Sequence, residues 1–170
     1  MKRKETIRLL TALITITFVL TIGAVSTGNA APSKRSNPRV ETARKLNRGL
    51  AGSPMANLGW ILEREAHRTH VSPYLMAAAA ATESSLGRAG CSGNTKNVWG
   101  LASCGGGWHV PYFNSWDEAI HFYADFLRSH WPTATSTYLS GYAACNQCWA
   151  DKTAWWMSRL FGVGPAFRYP

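Results

Sequence analysis

The residue of this 170-residue chain with the clearest chemical potential is Glu83, which lies near the end of a predicted helix over residues 73–86. Ser72 is a preferred N-cap, and Pro73 suits the first helical position because its missing N–H has no helical partner there. An apolar segment with five consecutive alanines follows. Gly87 is expected to end the helix in the left-handed conformation.

The expected surroundings of Glu83 favour its protonated form. The negative end of the helix dipole opposes a carboxylate in the last turn, and Met76, Ala79 and Ala80 share its helical face. Burial against apolar side chains also disfavours the charge. A carboxylic acid that keeps its proton is what general acid catalysis requires. A glutamate at a helix end is otherwise a capped or solvated group, so the neighbouring motifs decide between the two interpretations.

Three short motifs follow one another at informative spacing. They are residues 81–87 (ATESSLG), 97–101 (NVWGL) and 113–120 (FNSWDEAI). In this order they resemble the lysozyme-like peptidoglycan hydrolases, in particular the bacterial glucosaminidase family and the lytic transglycosylases, over roughly residues 55–162. The resemblance implies that Glu83 is the catalytic acid and that Ser84 and Asn97 hold the substrate.

The resemblance also implies a glycosidase of N-acetylglucosaminidase or lytic transglycosylase type, which cuts β-1,4 bonds of the peptidoglycan strand. Most glycosidases use two carboxyl groups, yet no acidic residue lies between Glu83 and Asp117. Capping of the next helix explains Asp117 and Glu118. Two mechanisms stay open: the substrate's N-acetyl group attacks the anomeric carbon, or the sugar's O6 does so and leaves a 1,6-anhydro product. Tyr112 or Tyr142 is a candidate for stabilising the positive charge that develops on the sugar ring as the glycosidic bond breaks.

Aromatic side chains are abundant, with eight tryptophans and six tyrosines. Those within predicted helices, such as Trp116, Tyr123 and Trp156, are assigned to the core. Those in loops or at helix ends can stack on a sugar ring while a polar tip reaches solvent. The candidates for sugar contact are Trp99, Trp108, Tyr112, Tyr142 and Trp149.

The N-terminus has the pattern of a signal peptide. Residues 2–4 (KRK) precede an apolar run over 9–25, and residues 28–30 (GNA) form a small-residue cleavage site. The run has 17 residues and contains four threonines, which makes it short and polar for the alternative, a membrane anchor. We expect residues 1–30 to be removed and the protein to be secreted and associated with the cell wall.

Charge and composition divide the rest of the chain. Residues 31–52 are basic and rich in Pro, Ser and Asn, which predicts a flexible linker in which 40–50 can become helical. Residues 53–170 then form the lysozyme-like catalytic domain. Removal of residues 1–30 leaves 14 basic and eight acidic residues, a net charge of +6. The expected partners are peptidoglycan glycan strands and, through the basic linker, anionic wall polymers. No nucleic-acid motif is present, and a monomer is expected.

Four cysteines in an exported chain imply two disulfides, for which three pairings exist. We favour Cys91–Cys104, which closes the glycine-rich loop after the catalytic helix, and Cys145–Cys148 as a local clip. A redox pair at Cys145 and Cys148 would need a strand-to-helix setting, and a four-cysteine zinc site would need a second short spacing. The histidines lack metal-binding spacing as well. Neither a metal nor another cofactor is expected.

The hydrophobic periodicity is helical, which predicts a small all-α domain (α+β at most). Besides 73–86, helices are predicted over 55–67, from a capping box at Ser115 to just before Pro132, over 137–143, and from about Trp149 to just before Gly162. Residues 88–114 are rich in glycine and predict a loop or short hairpin on one side of the cleft.

The main alternative function is a secreted, non-catalytic wall-binding module with a degenerate lysozyme-like site. A redox protein built on Cys145–Cys148 is a third hypothesis.

Overall fold

The computed structural model describes residues 37–90, 92–101, 112–132 and 136–166. Its helices are α1 (Pro38–Leu50), α2 (Gly59–Thr69), α3 (Pro73–Ser84), α4 (Ser92–Thr95), α5 (Trp116–His130) and α6 (Asn146–Phe161). These described residues contain no strand, so the predicted all-α fold is confirmed. Residues 102–111 of the predicted glycine-rich loop lie outside them. None of the helices in the described part has the length and apolar character needed to cross a membrane.

Helix α3 is the centre of the domain. Its residues from Pro73 to Ala81 are buried, because a helix that is apolar on every side is stable only when other elements surround it. Ser72 caps its start by accepting the N–H of Leu75 at 3.3 Å. The helix ends earlier than predicted, since Ser85 already has a left-handed backbone with φ of 52°. Gly87 also has a positive φ but lies beyond the cap.

Helix α1 corrects the predicted boundary between linker and domain. The linker assignment over 31–52 is wrong from Pro38 onward, where the chain is helical and belongs to the folded domain. Asn37 caps the helix by accepting the N–H of Arg39 at 3.0 Å. Leu46 and Leu50 are fully buried in the core. The basic residues that suggested a linker therefore alternate with the apolar stripe of an amphipathic helix.

Helix α2 begins at Gly59, four residues later than predicted. The hydroxyl of Ser53 donates to the carbonyl of Leu50 and accepts the N–H of Met55, which holds this stretch as turns. Asn57 has a φ of 67°, which is incompatible with a right-handed helix. At Gly59 a side chain would overlap the carbonyl oxygen of Ala43 on α1, so glycine permits the close approach of the two helices.

The last two long helices agree with the sequence, except that α6 begins at Asn146, three residues before the predicted start. Ser115 caps α5 by accepting the N–H of Glu118 at 3.1 Å, while the Glu118 carboxylate accepts the N–H of Asn114 at 2.8 Å. Helix α6 ends before Gly162, which has a left-handed φ of 59°. The short helix predicted over 137–143 is absent, and this stretch consists of turns and bends.

The pairing of Cys145 with Cys148 is confirmed, with an S–S distance of 1.98 Å. This disulfide stands at the start of α6, where the Sγ of Cys145 also accepts the N–H of Cys148. The predicted Cys91–Cys104 bridge lies outside the described residues and stays a prediction.

An ion-pair network joins α2 to α5 around the buried carboxylate of Glu65. Arg68 donates to it at 2.6 Å and Arg64 at 2.9 Å, and His121 of α5 lies 3.1 Å away. Arg64 also holds Asp117 through two bonds of 2.8 Å. Burial alone raises the pKa of Glu65, but the bonds from Arg68 and Arg64 outweigh it and hold this pKa below its usual value. The bond from Arg64 lowers the pKa of Asp117.

Acid is expected to weaken the α2–α5 contact. A carboxyl whose pKa is lower in the folded state stabilises that state fully above its unfolded pKa, about 4.3 for glutamate, and loses this contribution as the pH falls through the folded pKa. Thermal unfolding followed by circular dichroism between pH 7 and pH 3 measures the loss. Glu65→Gln should unfold at lower temperature at pH 7 and show a flatter dependence on pH. An equally steep profile in this variant would contradict the role given to Glu65.

Candidate active site

An open cleft of about 700 Å³ lies at the carboxyl end of α3. Its walls come from the end of α3, the segment 99–101, the second half of α5 and the turns before α6. The residues that line it are Glu83, Trp99, Gly100, Leu101, Phe126, His130, Trp131, Ser140, Gly141, Tyr142 and Ala143. Aromatic rings around one carboxyl group suit a ligand with both polar groups and apolar faces, as a sugar has.

Glu83 is exposed to this cleft from the last turn of α3. Its Oε1 accepts the indole N–H of Trp149 at 2.6 Å. Its Oε2 faces Gly100, where a Cβ would lie 3.5 Å away. The expectation that apolar neighbours enclose the carboxyl is wrong. Met76 and the alanines of the same face lie in the core, whereas Glu83, in the last turn, is exposed.

Helix α6 fixes the end of α3 that carries Glu83. The Nζ of Lys152 donates to the carbonyl of Thr82 at 3.0 Å, and the hydroxyls of Thr82 and Thr153 are 2.9 Å apart. A cation at a helix C-terminus interacts favourably with the helix dipole. Lys152 thus offsets the conflict between the dipole and the Glu83 carboxylate.

A hydrogen-bonded pair of tyrosines supports the opposite side of the cleft. The hydroxyls of Tyr123 and Tyr142 lie 3.0 Å apart, and the ring of Tyr123 stacks on Trp99 with centroids separated by 4.3 Å. Burial raises the pKa of both phenols, and the nearby charge of Glu83 adds to the rise. Both hydroxyls therefore keep their protons at neutral pH, and Tyr142, a cleft-lining residue, is neutral.

Ser84 and Asn97, which the resemblance assigned to substrate binding, have a structural role instead. Their exposed fractions are 3% and 2%, and neither lines the cleft. The Ser84 Oγ lies 2.7 Å from the carbonyl of Val98 and accepts the N–H of Gly87 at 2.9 Å. The Asn97 side chain bonds both backbone groups of Leu101, at 2.7 and 3.2 Å. Together they hold the segment 97–101 against the end of α3.

The other candidates for sugar contact fall into three groups. Trp99 and Tyr142 line the cleft, and their contact with a sugar stays a prediction. Trp149 is buried behind the wall, where it bonds Glu83 and packs on Tyr142 with centroids 4.4 Å apart. Tyr112 is 75% exposed and lies outside the cleft wall, and Trp108 is outside the described residues.

Three aromatic residues of the wall were not predicted from the sequence. Phe126 and His130 lie one turn apart at the end of α5, and Trp131 follows them. The indole N–H of Trp131 donates to the carbonyl of Ser140 at 3.0 Å, which ties α5 to the turns before α6. The spacing of four residues between Phe126 and His130, continued by Trp131, was the available indication of a shared surface.

Glu83 is the sole carboxylate of the cleft wall within the described ranges. The chain has nine acidic residues, and of these only Glu5 lies outside those ranges. The other seven are bonded elsewhere: Glu41 to Arg44, Glu63 to Arg39, Glu65 to Arg64 and Arg68, Asp117 to Arg64, Glu118 to Asn114, Asp125 to Arg68, and Asp151 to Gln147. No three His, Cys, Asp or Glu residues in this part of the chain are grouped so as to hold a metal ion.

Comparison with known proteins identifies a similar fold but no related sequence. No protein-family model matches the chain, and no curated protein matches it in sequence. Among solved structures it is similar to S. aureus autolysin E, determined in complex with the muropeptide NAM-L-Ala-D-iGlu, with a TM-score of 0.51. The similarity covers 75% of this chain and 71% of the autolysin chain at 16% sequence identity. At this identity the similarity concerns the fold: the chain has a fold like that of an autolysin.

Proposed function

We propose that this protein is an exported cell-wall glycosidase that cleaves β-1,4 bonds of the peptidoglycan glycan strand, with Glu83 as general acid and then base. The observation that carries the proposal is the position of Glu83, whose exposed carboxyl is the only one among the described residues that line an open cleft rich in aromatic rings. The fold supports it, because autolysin E has a similar one and was crystallised with a fragment of peptidoglycan.

In the first step Glu83 donates its proton to the glycosidic oxygen. The bond between that oxygen and the anomeric carbon breaks, the electron pair stays with the oxygen, and the sugar ring acquires positive charge. The neutral side chain of Tyr142 lines the same cleft, and the oxygen of its phenol is our candidate for stabilising this charge. Glu83 is then a carboxylate and can accept a proton.

The second step must proceed without a second carboxylate from the described residues. The substrate can supply the missing nucleophile in two ways. In the first, the N-acetyl oxygen bonds to the anomeric carbon and closes a five-membered ring, and water later attacks that carbon and reopens the ring. In the second, the O6 hydroxyl attacks the anomeric carbon directly and forms a 1,6-anhydro sugar. In each case Glu83 takes the proton, from water or from O6, and returns to its acid form.

Export is part of the same proposal. Residues 2–4, 9–25 and 28–30 have the pattern of a cleaved leader, and a disulfide at Cys145–Cys148 is typical of an oxidising compartment. The net charge of +6 expected for the mature chain favours attraction to anionic wall polymers.

The intact mass of the exported protein tests this part. We expect a chain that starts near Ala31, with all four cysteines in two intramolecular bridges, and proteolytic mapping should join Cys91 to Cys104. A full-length chain recovered from membranes would mean that the leader is an anchor. Four free thiols would contradict both the bridges and the compartment.

Release of soluble fragments from purified peptidoglycan tests the catalytic part. The wild-type protein should sediment with the polymer and also release fragments from it. Sedimentation without release, under conditions in which the protein is folded, would replace the proposal by the alternative of a non-catalytic wall-binding module.

A further inference from the structure

The bond between Trp149 and Glu83 makes the two oxygens of the carboxyl group inequivalent. An indole N–H is a donor only, so the Oε1 that it contacts at 2.6 Å must be an acceptor. In a carboxylic acid the unprotonated oxygen is the stronger acceptor, so a bond as short as this one favours Oε1 as the carbonyl oxygen. When Glu83 is the neutral acid, its proton is therefore favoured on Oε2.

Oε2 has open space in front of it because residue 100 is glycine. A Cβ at this position would stand 3.5 Å from Oε2, and the backbone φ of Gly100 is 64°, in the left-handed region. Leu101 and Trp99 flank this opening as parts of the cleft wall. Oε2 therefore lies beside Gly100 at the cleft wall, on the side open to a bound ligand.

Trp149 is held in place from several sides. Its side chain is buried, its ring packs on Tyr142, and its backbone N–H bonds the carbonyl of Cys145 at 3.0 Å in the first turn of α6. The Cys145–Cys148 disulfide closes the same turn. The sequence position of Trp149 suggested that it stacks on a sugar. This role does not fit its placement, because Trp149 lies behind the cleft wall.

We propose that Trp149 is a positioning residue, which keeps the acidic proton of Glu83 on Oε2 and directs it past Gly100 into the cleft. This inference rests on the proposed glycosidase function. In each cycle Oε2 gives its proton to the leaving oxygen and recovers one from water or from O6. Oε1 keeps its bond to the indole throughout, which stabilises the carboxylate between the two transfers.

Trp149→Phe tests the proposal, because it keeps an aromatic ring against Tyr142 and removes only the N–H. We expect kcat on purified peptidoglycan to fall about 10- to 100-fold, since a misplacement of about 1 Å in a catalytic group costs up to about 10²-fold. KM should stay within about twofold, because the substrate does not touch Trp149. The matched control is Trp155→Phe, which changes an exposed tryptophan of the same helix and should leave kcat unchanged.

A double variant separates positioning from structural damage. In a Glu83→Gln background there is no acidic proton to direct, so adding Trp149→Phe should change the residual rate by less than about twofold. An equal loss of rate in both backgrounds would mean a structural role for Trp149 and would overturn the proposal. An unchanged kcat in the single variant Trp149→Phe would also overturn it, and a raised KM beside that unchanged kcat would indicate sugar stacking instead. If Glu83→Gln is as active as the wild type, the proposed function itself fails, which is a different outcome.

Gly100→Ala provides an independent test that leaves Trp149 in place. The added methyl group would stand 3.5 Å from Oε2, and the left-handed φ of this residue also strains an alanine. The expected fall in kcat of about tenfold or more therefore supports the proposal only in a variant whose thermal unfolding matches the wild type and which still sediments with peptidoglycan. Unchanged kcat in a folded Gly100→Ala protein would show that Oε2 is not the oxygen that faces the substrate.

Discussion

Glu83→Gln is expected to reduce the rate of peptidoglycan cleavage about 10²- to 10⁴-fold, the usual cost of losing general acid catalysis. The amide keeps the shape of the side chain and an oxygen that can accept the N–H of Trp149, but it has no acidic proton for the leaving oxygen. Folding should be retained, because the side chain is exposed and a neutral group avoids the unfavourable end of the α3 dipole. Release of soluble fragments and thermal unfolding measure the two properties on the same samples.

Asp117→Asn and Glu118→Gln are the matched controls for this experiment. Asp117 is bonded to Arg64 and Glu118 to the N–H of Asn114, both at the start of α5 and away from the cleft. Each change should cost about 1 kcal/mol or less of stability and leave activity largely intact. If either carboxylate proves as essential as Glu83 in a folded variant, a mechanism with two carboxylates must replace the one proposed. Full activity of Glu83→Gln would remove the basis of the lysozyme-like interpretation.

Trp99→Ala is expected to be among the most destabilising single substitutions in the domain. Trp99 is 2% exposed, stacks on Tyr123 and donates its indole N–H to the carbonyl of Met76 at 2.9 Å. Truncation of a buried tryptophan costs about 3–5 kcal/mol, a large share of the roughly 5–15 kcal/mol that separates folded from unfolded domains. Denaturant unfolding followed by tryptophan fluorescence or circular dichroism measures the free energy of unfolding directly.

Trp99→Phe is the corresponding control. It keeps a ring against Tyr123 and loses the N–H and part of the volume, so we expect a cost of about 1–2 kcal/mol. A free energy of unfolding for Trp99→Ala within about 1 kcal/mol of the wild type would contradict the role given to Trp99 in packing the cleft wall against the core.

Helices α3 and α5 were predicted well because their boundaries are encoded locally. Ser72 and Pro73 define the start of α3, and Ser115 caps α5 through a bond to a residue three positions away. The exact end of α3 was harder to predict, since Gly87 is the residue best suited to a left-handed cap but Ser85 adopts that conformation first.

Helices α1 and α2 depend on tertiary contacts that their local sequences do not reveal. The basic character of residues 31–52 predicts a linker until Leu46 and Leu50 are seen to pack into the core. Met55 continues the helical periodicity of α2 but is buried in a turn held by Ser53. In α1 and in the turns before α2 the sequence has a helical hydrophobic pattern. Tertiary packing decided that the first segment became a helix and the second a series of turns.

In the candidate site, too, some features follow from the local sequence and others depend on tertiary contacts. The position of Glu83 at a helix end and the scarcity of other carboxylates follow from the sequence. The roles of Asn97 and Trp149 do not, because they depend on which groups face them after folding: the backbone of Leu101 for one and the carboxyl of Glu83 for the other. Tyr112 shows the converse, as its loop position suggested a cleft residue and the structure places it outside the cleft wall.

Mass spectrometry of the fragments released from purified peptidoglycan tests the central claim most directly. The account predicts that the wild-type protein produces fragments with new sugar ends from cleavage of the glycan strand, either reducing N-acetyl sugars or 1,6-anhydro sugars. Glu83→Gln should produce almost none of them, whereas Asp117→Asn should produce the same fragments as the wild type. Fragments cut only in the peptide stems, or new sugar ends released equally by Glu83→Gln, would contradict it.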